Sequence, residues 1–437
     1  MSRRLFTRLA GLLAMAATLL SPAVLADRLA VVDARVHTLA TAGVLEGATV
    51  LIENGRIMAV GVDLAVPEGY AVIDGAGRDL TPGLFVGYST IGLAEVNGVD
   101  ESNDRRVDPE ELRGEAETLG AAFSVARAVN AESVLYGVAR AGGVLHAMTG
   151  PLPGAQVFAG QASVIRLDGP RQTLVAPDAA MIAAVGVAGA RISGGSRAAA
   201  LVRLEQAFVD AQVYTNSAAL VRGGQASNLS LSRIDLAALA SFVASGRPLG
   251  VMADRASDIL HVVAILRERG VQPVILGGVE AWKVADELAA ADVPVLLDPL
   301  MNIPDNYDQL GARLDSAAIL HRAGVRVGFM ERTGHEVREI RQYAGNAVAW
   351  GMPREAALAA ITRVPAEIWR VDDRIGRIAP GMAADMVLWT GDPLELTTWA
   401  DTVIIDGRVV PADSRQLLLQ ERYRDPRAIY RPPTPGN

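Results

Sequence analysis

The sequence predicts an α/β protein in which parallel strands and crossover helices form the main body, with a small β domain assembled from both chain ends. Three observations predict it. Strand and helix patterns alternate at regular spacing from about residue 247 to 362. Short strands and turns fill residues 27–80 and return after residue 385. Half of the residues are hydrophobic but only 5% are aromatic, so the apolar content is mostly aliphatic, the usual filling of helix-covered parallel strands. At 437 residues the chain is long for one ordinary domain and suits a barrel with a satellite domain. Crossovers in series build either a doubly wound sheet or a closed barrel, and periodicity does not choose between them.

The chain begins with Arg3, Arg4 and Arg8, an apolar run from Leu9 to Leu20, and Ser21-Pro22-Ala23-Val24-Leu25-Ala26. These are the three parts of a secretory signal peptide, with cleavage expected after Ala26 and a periplasmic or secreted mature protein. Ser2-Arg3-Arg4-Leu5-Phe6 also resembles a twin-arginine signal, although adjacent arginines are common in any basic leader. No later apolar stretch both reaches the ~20 residues of a membrane helix and lacks charges or glycines, so no span is expected after cleavage. A net charge of -8 argues against nucleic acid or anionic lipid as the main partner. With no cysteine there is neither a disulfide nor a thiolate metal site.

Strands are expected at Leu29 to Asp33, Gly47 to Glu53, Arg56 to Val60 and Tyr70 to Asp74, with Glu53-Asn54-Gly55 as a hairpin turn. Residues 97–240 are less regular. Val99 to Glu117 reads as an acidic surface segment, Val144 to Met148 as a strand, Gly150 to Gly160 as a βα loop, and Ser196 to Tyr214 as a long helix. Buried strands follow at Leu249 to Ala253, Pro273 to Gly278, Val293 to Leu297 and Val325 to Met330. Helices at Ala256 to Arg269, Ala281 to Ala291 and Leu314 to Ala323 separate them, two of them closed by Gly270 and Gly324. Asp385 to Trp389, Asp401 to Ile405 and Arg408 to Val410 return to the β style.

Thr81-Pro82-Gly83-Leu84-Phe85-Val86-Gly87-Tyr88-Ser89-Thr90 resembles the opening T-P-G-L-I-D-x-H-x-H of the amidohydrolase superfamily, without its two histidines. Ala253 to Ile259, Glu280 to Leu288, Arg341 to Ala344 and Gly381 to Val387 resemble its imidazolonepropionase-like branch. The resemblance chooses the barrel. It implies a (β/α)8 TIM-like barrel over residues 81–370 and a β-sandwich from 27–80 and 371–412, with a tail at 413–437. In that family a divalent metal, zinc or another, activates water to hydrolyse carbon–nitrogen bonds.

Mapped residue by residue, the family's metal positions fall on Tyr88, Thr90, Met252, Gly277 and Arg332, so no metal cofactor is expected here. Arg332 stands where relatives place the aspartate that is both metal contact and general base. A guanidinium ~4 Å from a divalent ion would be repelled by roughly 8 kcal/mol at an effective dielectric of 20. A register shift of one residue would bring Glu331 there instead. His146 and His335 are the histidines able to reach the barrel mouth, and Glu95, Asp254, Glu280 and Glu331 complete a candidate pocket. For each the bland role competes: His146 as a hydrogen-bonded core residue, His335 as a loop residue, Glu280 as a first-turn carboxylate.

Two classes of function follow. One is a non-catalytic relative, acting as partner of a catalytic amidohydrolase or as binder of a small polar ligand. The other is a divergent hydrolase of non-peptide or dipeptide-like amides.

Overall fold

Alternation of buried and exposed residues, interrupted by turns at left-handed Asn54 and Gly55, folds the N-terminal segment into antiparallel hairpins. In this computed structural model residues 28–107, 119–169, 173–216, 229–411 and 414–424 are described. The expected signal peptide and most of the acidic segment and tail lie outside them.

The strands of the terminal segments are β1 (Arg28–His37), β2 (Val44–Glu53), β3 (Arg56–Val62), β4 (Ala71–Asp74) and β5 (Asp79–Pro82). The barrel strands are β6 (Leu84–Ser89), β7 (Val144–Thr149), β8 (Phe158–Arg166), β9 (Leu174–Ala184), β10 (Leu249–Ala253), β11 (Pro273–Gly277), β12 (Val295–Leu297) and β13 (Val327–Phe329). The chain returns through β14 (Met386–Trp389), β15 (Ala400–Ile405) and β16 (Arg408–Val410). The two terminal segments form one hydrogen-bonded sheet in the order β16-β15-β14-β5-β1-β2-β3, with β4 also on β1. The seam is β5 against β14, where Leu80 pairs with Leu388. The expected sandwich is therefore one continuous sheet, and its inner face carries its own core around Val31, Val50, Ile52, Leu80 and Met386.

The second sheet runs β13-β12-β11-β10-β9-β8-β7-β6 and is nearly closed, the amide of Glu331 just past β13 donating to the carbonyl of Tyr88 on β6 at 2.9 Å. One strand departs from the (β/α)8 expectation: β8 is antiparallel to both β7 and β9. The reason is chain length. A parallel crossover takes about a dozen residues or more, and the links from Thr149 to Phe158 and from Arg166 to Leu174 are shorter. Inward residues such as Phe85, Met148, Ile182, Leu276 and Leu296 fill the barrel, while Val86, Val144, Val251, Ile275 and Val327 pack under the helices. Helix Ala256–Glu268 and helix Ser316–Arg322 are each followed by a left-handed glycine, Gly270 and Gly324. The chain thus brings seven strand ends and their following loops to one face, where barrel sites are built.

The family-like opening does its work at the opposite face. Thr81 pairs with Val387 and accepts from the indole of Trp389 at 2.9 Å. Gly83 donates to Asp385 O at 2.9 Å, and a Cβ there would lie 2.5 Å from Leu145.

Candidate functional site

Tyr88 and Thr90 follow one another at period 2 on and after β6, so both leave the strand on the same side. The Tyr88 ring is fully buried, and its hydroxyl donates to Pro151 O at 2.5 Å. Gly150 makes room for it, because a Cβ there would lie 2.4 Å from the ring. Burial pushes the phenol well above its usual range despite the field of Arg332, so Tyr88 is a neutral donor already engaged. Thr90 donates to Thr333 O at 2.9 Å and ties β6 to the turn after β13.

Met252 forms a half-buried wall from β10. At the end of β11, Gly277 takes φ +97°, and a Cβ built on it would lie 2.4 Å from Asp254 Oδ1 and 3.0 Å from Arg332 Nη2. The space a side chain would fill there holds an acid and a base. Arg332 Nη2 stands 3.8 Å from Asp254 Oδ1, and the arginine side chain is 48% exposed. Asp254 is held from its other oxygen by Gln309 Nε2 at 2.9 Å.

A cavity of about 260 Å³ lies at the C-terminal ends of the strands. Tyr88, Met252, Asp254 and Arg332 meet there with Arg191, which follows β9, and with Asn306, Asp308 and Gln309 from the long loop after β12. Asp308 is buried, accepts from Val187 N at 2.8 Å and is bonded to Arg197, whose Nε lies 3.6 Å from Asp258 Oδ2. Burial and the neighbouring Asp308 push the Asp258 carboxyl up, against Arg197, Arg255 and His261.

The other sequence candidates stand elsewhere. Glu95 accepts from Asn130 Nδ2 at 2.9 Å and Val134 N at 3.2 Å, fixing a loop. Glu280 pairs with Lys283 at 2.6 Å and accepts from Ala256 N at 3.3 Å, at the start of the helix after β10. Glu331 accepts from Thr333 N at 2.6 Å and Gly334 N at 2.7 Å and caps its own turn. Its carboxyl is pushed up by burial, against those bonds. His335 donates its amide to Thr333 Oγ1 at 3.2 Å and does not line the cavity. His146, expected to reach the mouth, instead packs on Phe85 and meets Asp385 Oδ2 at 2.9 Å, at the end of the barrel that faces the terminal sheet. It sits early on an inward-facing register, and the mouth belongs to strand ends.

A larger cleft of about 690 Å³ lies between the β1–β2 hairpin tip and helix Arg354–Ala360, on the base side. Its histidine, His37, is committed to Asp79 at 2.6 Å, so the mouth has the richer convergence of polar groups from separate elements.

The family model described as Amidohydrolase family matches residues 324–411. A 114-residue stretch is 36% identical to amidohydrolase tasK of Hapsidospora irregularis and covers 24% of this chain but only 12% of that much longer protein. Among solved structures, an amidohydrolase from Thermotoga maritima MSB8 superposes with a TM-score of 0.77 at 26% identity, covering 88% of this chain and 99% of its own. The chain belongs to the amidohydrolase superfamily. A putative prolidase from Bifidobacterium longum shares the fold at 18% identity and a TM-score of 0.52, covering 91% of this chain and 99% of its own.

Amidohydrolase metal centres take imidazoles and carboxylates. The positions that the sequence resemblance assigns to ligands carry an engaged phenol, an engaged hydroxyl, a thioether, a bare glycine and a guanidinium. Among the described residues, no group of three or more histidines and carboxylates is arranged to hold a metal ion. The residues present do not fit a divalent metal.

Sequence reasoning missed Arg191, Asn306, Asp308 and Gln309. The one available signal was the length of the segment between β12 and helix Ser316–Arg322, long for a loop and placed at a barrel strand end.

Proposed function

We propose that this protein is a degenerate amidohydrolase that binds a small polar molecule at the barrel mouth without metal-dependent hydrolysis, and that it works outside the cytoplasm after removal of residues 1–26. The observation that carries the reading is at Gly277: the Asp254–Arg332 pair fills the volume a metal-binding side chain would need. The phenol of Tyr88 supports it, being spent on Pro151 O beneath the same cavity. With no activated water, the site's remaining competence is recognition by a cavity with polar groups on several walls.

The test is the metal content of the mature protein, expressed with manganese, zinc and iron available and purified without chelator. The expected result is less than about a tenth of an equivalent, far below what a structured metal site retains. Stoichiometric metal that disappears in Glu331→Ala or His335→Ala would overturn the reading.

A second reading, a divergent hydrolase of carbon–nitrogen bonds, draws on the whole-chain likeness to the Thermotoga maritima amidohydrolase. Turnover of an amide panel by the metal-free protein would favour it. Partnership with a catalytic relative is compatible with the binding role, and exposed Ile303, Tyr307 and Leu310 beside the mouth give such a partner apolar surface to cover. Co-purification from the native host with a relative that carries the metal-binding histidines is the expected result.

A further inference from the structure

We infer that the molecule bound at the mouth is a short aliphatic carboxylate, its anionic end taken by Arg191 and Arg332 and its body by the apolar wall. This inference deepens the binding reading above and rests on it.

Four charged side chains line the cavity at the mouth: Asp254, Asp308, Arg191 and Arg332. The two acids are already satisfied. Asp308 accepts from Val187 N and is bonded to Arg197, a cation that is not part of the lining. Asp254 accepts from Gln309 Nε2. Asn306 has its side-chain oxygen committed to Asp308 N at 2.9 Å, which leaves its amide N–H groups as donors.

The two bases are not satisfied. Arg191 is exposed and makes no hydrogen bond or ion pair with any described residue. Arg332 approaches Asp254 at 3.8 Å, beyond hydrogen-bond length. The lining is balanced in formal charge, but its acids are spent and its unspent charged donors are the two guanidinium groups, one after β9 and one after β13. A guanidinium offers parallel N–H groups that match the two oxygens of a carboxylate.

The remaining lining separates organic from inorganic anions. Leu152, Pro153, Val185, Met252, Leu276 and Met330 give the cavity an apolar wall, which a bare phosphate or sulfate would leave uncovered. The volume of about 260 Å³ lies just below the ~300 Å³ at which drug-sized sites begin, so the body is a short chain.

The experiment is calorimetric titration of the full mature protein with four probes: hexanoate, hexan-1-ol, hexan-1-amine and inorganic phosphate. Hexanoate should bind saturably, and each of the other three at least about tenfold more weakly. Arg191→Gln and Arg332→Gln should each weaken hexanoate about tenfold while leaving the urea midpoint nearly unchanged, since both side chains are exposed. Asp254→Asn should tighten it severalfold, because the competing carboxylate beside Arg332 is gone. Best binding of the amine or the alcohol, or arginine variants with unaltered affinity, would overturn the carboxylate assignment while leaving the binding site in place. Saturable binding by none of the four probes overturns the assignment too, and amide turnover or bound metal would then remove the binding reading with it.

Discussion

The two ends of the barrel are built differently. At the base, where the barrel meets the terminal sheet, the polar contacts are short: His146 to Asp385 at 2.9 Å and Trp389 to Thr81 at 2.9 Å, both buried, and Asp406 N to Asp385 at 2.7 Å, partly buried. At the mouth, the central ion pair is 3.8 Å long and its arginine is nearly half exposed. Of the positions read from the sequence resemblance, Thr81, Gly83 and Asp385 stand at the base and Tyr88, Met252, Gly277 and Arg332 at the strand ends around the mouth. Fold and site are separate matters: the base residues join the barrel to its second domain, and the mouth residues surround a cavity.

The pH response should distinguish the ends as well. At the base the Asp385 carboxyl is held below the usual range: burial pushes it up, and the His146 hydrogen bond and charge, Arg166 and Asp406 N–H outweigh that. Among the carboxylates just past the strand ends, behind the cavity lining, burial comes first and wins, so Glu331, Asp258 and Asp298 are all pushed up.

The strongest way to break the comparison is Asp385→Ala, which leaves His146 and the Asp406 amide without their buried acceptor. A loss of about 3 kcal/mol or more is expected in urea unfolding, the range for one-sided removal of a buried pair; a loss under ~1 kcal/mol would mean the base is no tighter than the mouth. The sign of its pH dependence follows from a depressed folded pKa. The stability Asp385 contributes is present above the unfolded carboxylate value and is lost as pH falls through the folded one. Asp385→Asn should flatten that acid-side loss. Glu331, with a raised folded pKa, contributes below its unfolded value and loses that contribution as pH rises through the folded one, so Glu331→Gln should flatten a slope of opposite sign. Urea midpoints from about pH 3 to 8 test both.

Tyr88→Phe comes next. It removes the donor to Pro151 O and should cost about 1–2 kcal/mol, with faster proteolysis in the 150–157 loop as the local readout. Asp258→Asn is smaller still and of opposite sign: relieving a buried carboxylate beside Asp308 should raise the melting temperature at neutral pH, by under ~1 kcal/mol of stability. Arg332→Gln closes the series with a stability change of under ~0.5 kcal/mol, as suits an exposed and elongated ion pair. A large loss there would make the mouth pair a structural plug.

How much of this was legible in the sequence depends on how local the cause was. The strands β10 to β13 and the glycine stops at Gly270 and Gly324 were readable because apolar runs and caps are properties of neighbouring residues. The reversal of β8 was not, since Gly160, Gln161 and Ser163 break its apolar run and its direction is set by the lengths of the flanking links. The resemblance of the opening motif drew attention to Tyr88 and Thr90, and that of the later segments to Met252, Gly277 and Arg332. Arg191, Asp308 and Gln309 carry no pattern of their own, because they become neighbours only when the segments after two separate strands, β9 and β12, converge. His146 was misplaced for a related reason: residue type suggested the mouth, but position along the strand sets depth in the barrel.

The seam between β5 and β14 has a consequence for the order of folding. Leu80 and Leu388 pair across a segment that contains the whole barrel, so forming that ladder early would close a very long loop before any nearby contact offsets the lost chain freedom. The hairpins of β1, β2 and β3, and the meander of β7, β8 and β9, need only short closures. The N-terminal strands are then expected to wait, partly formed and with the edge of β5 unpaired, until the last barrel strand brings β14 back to cover it.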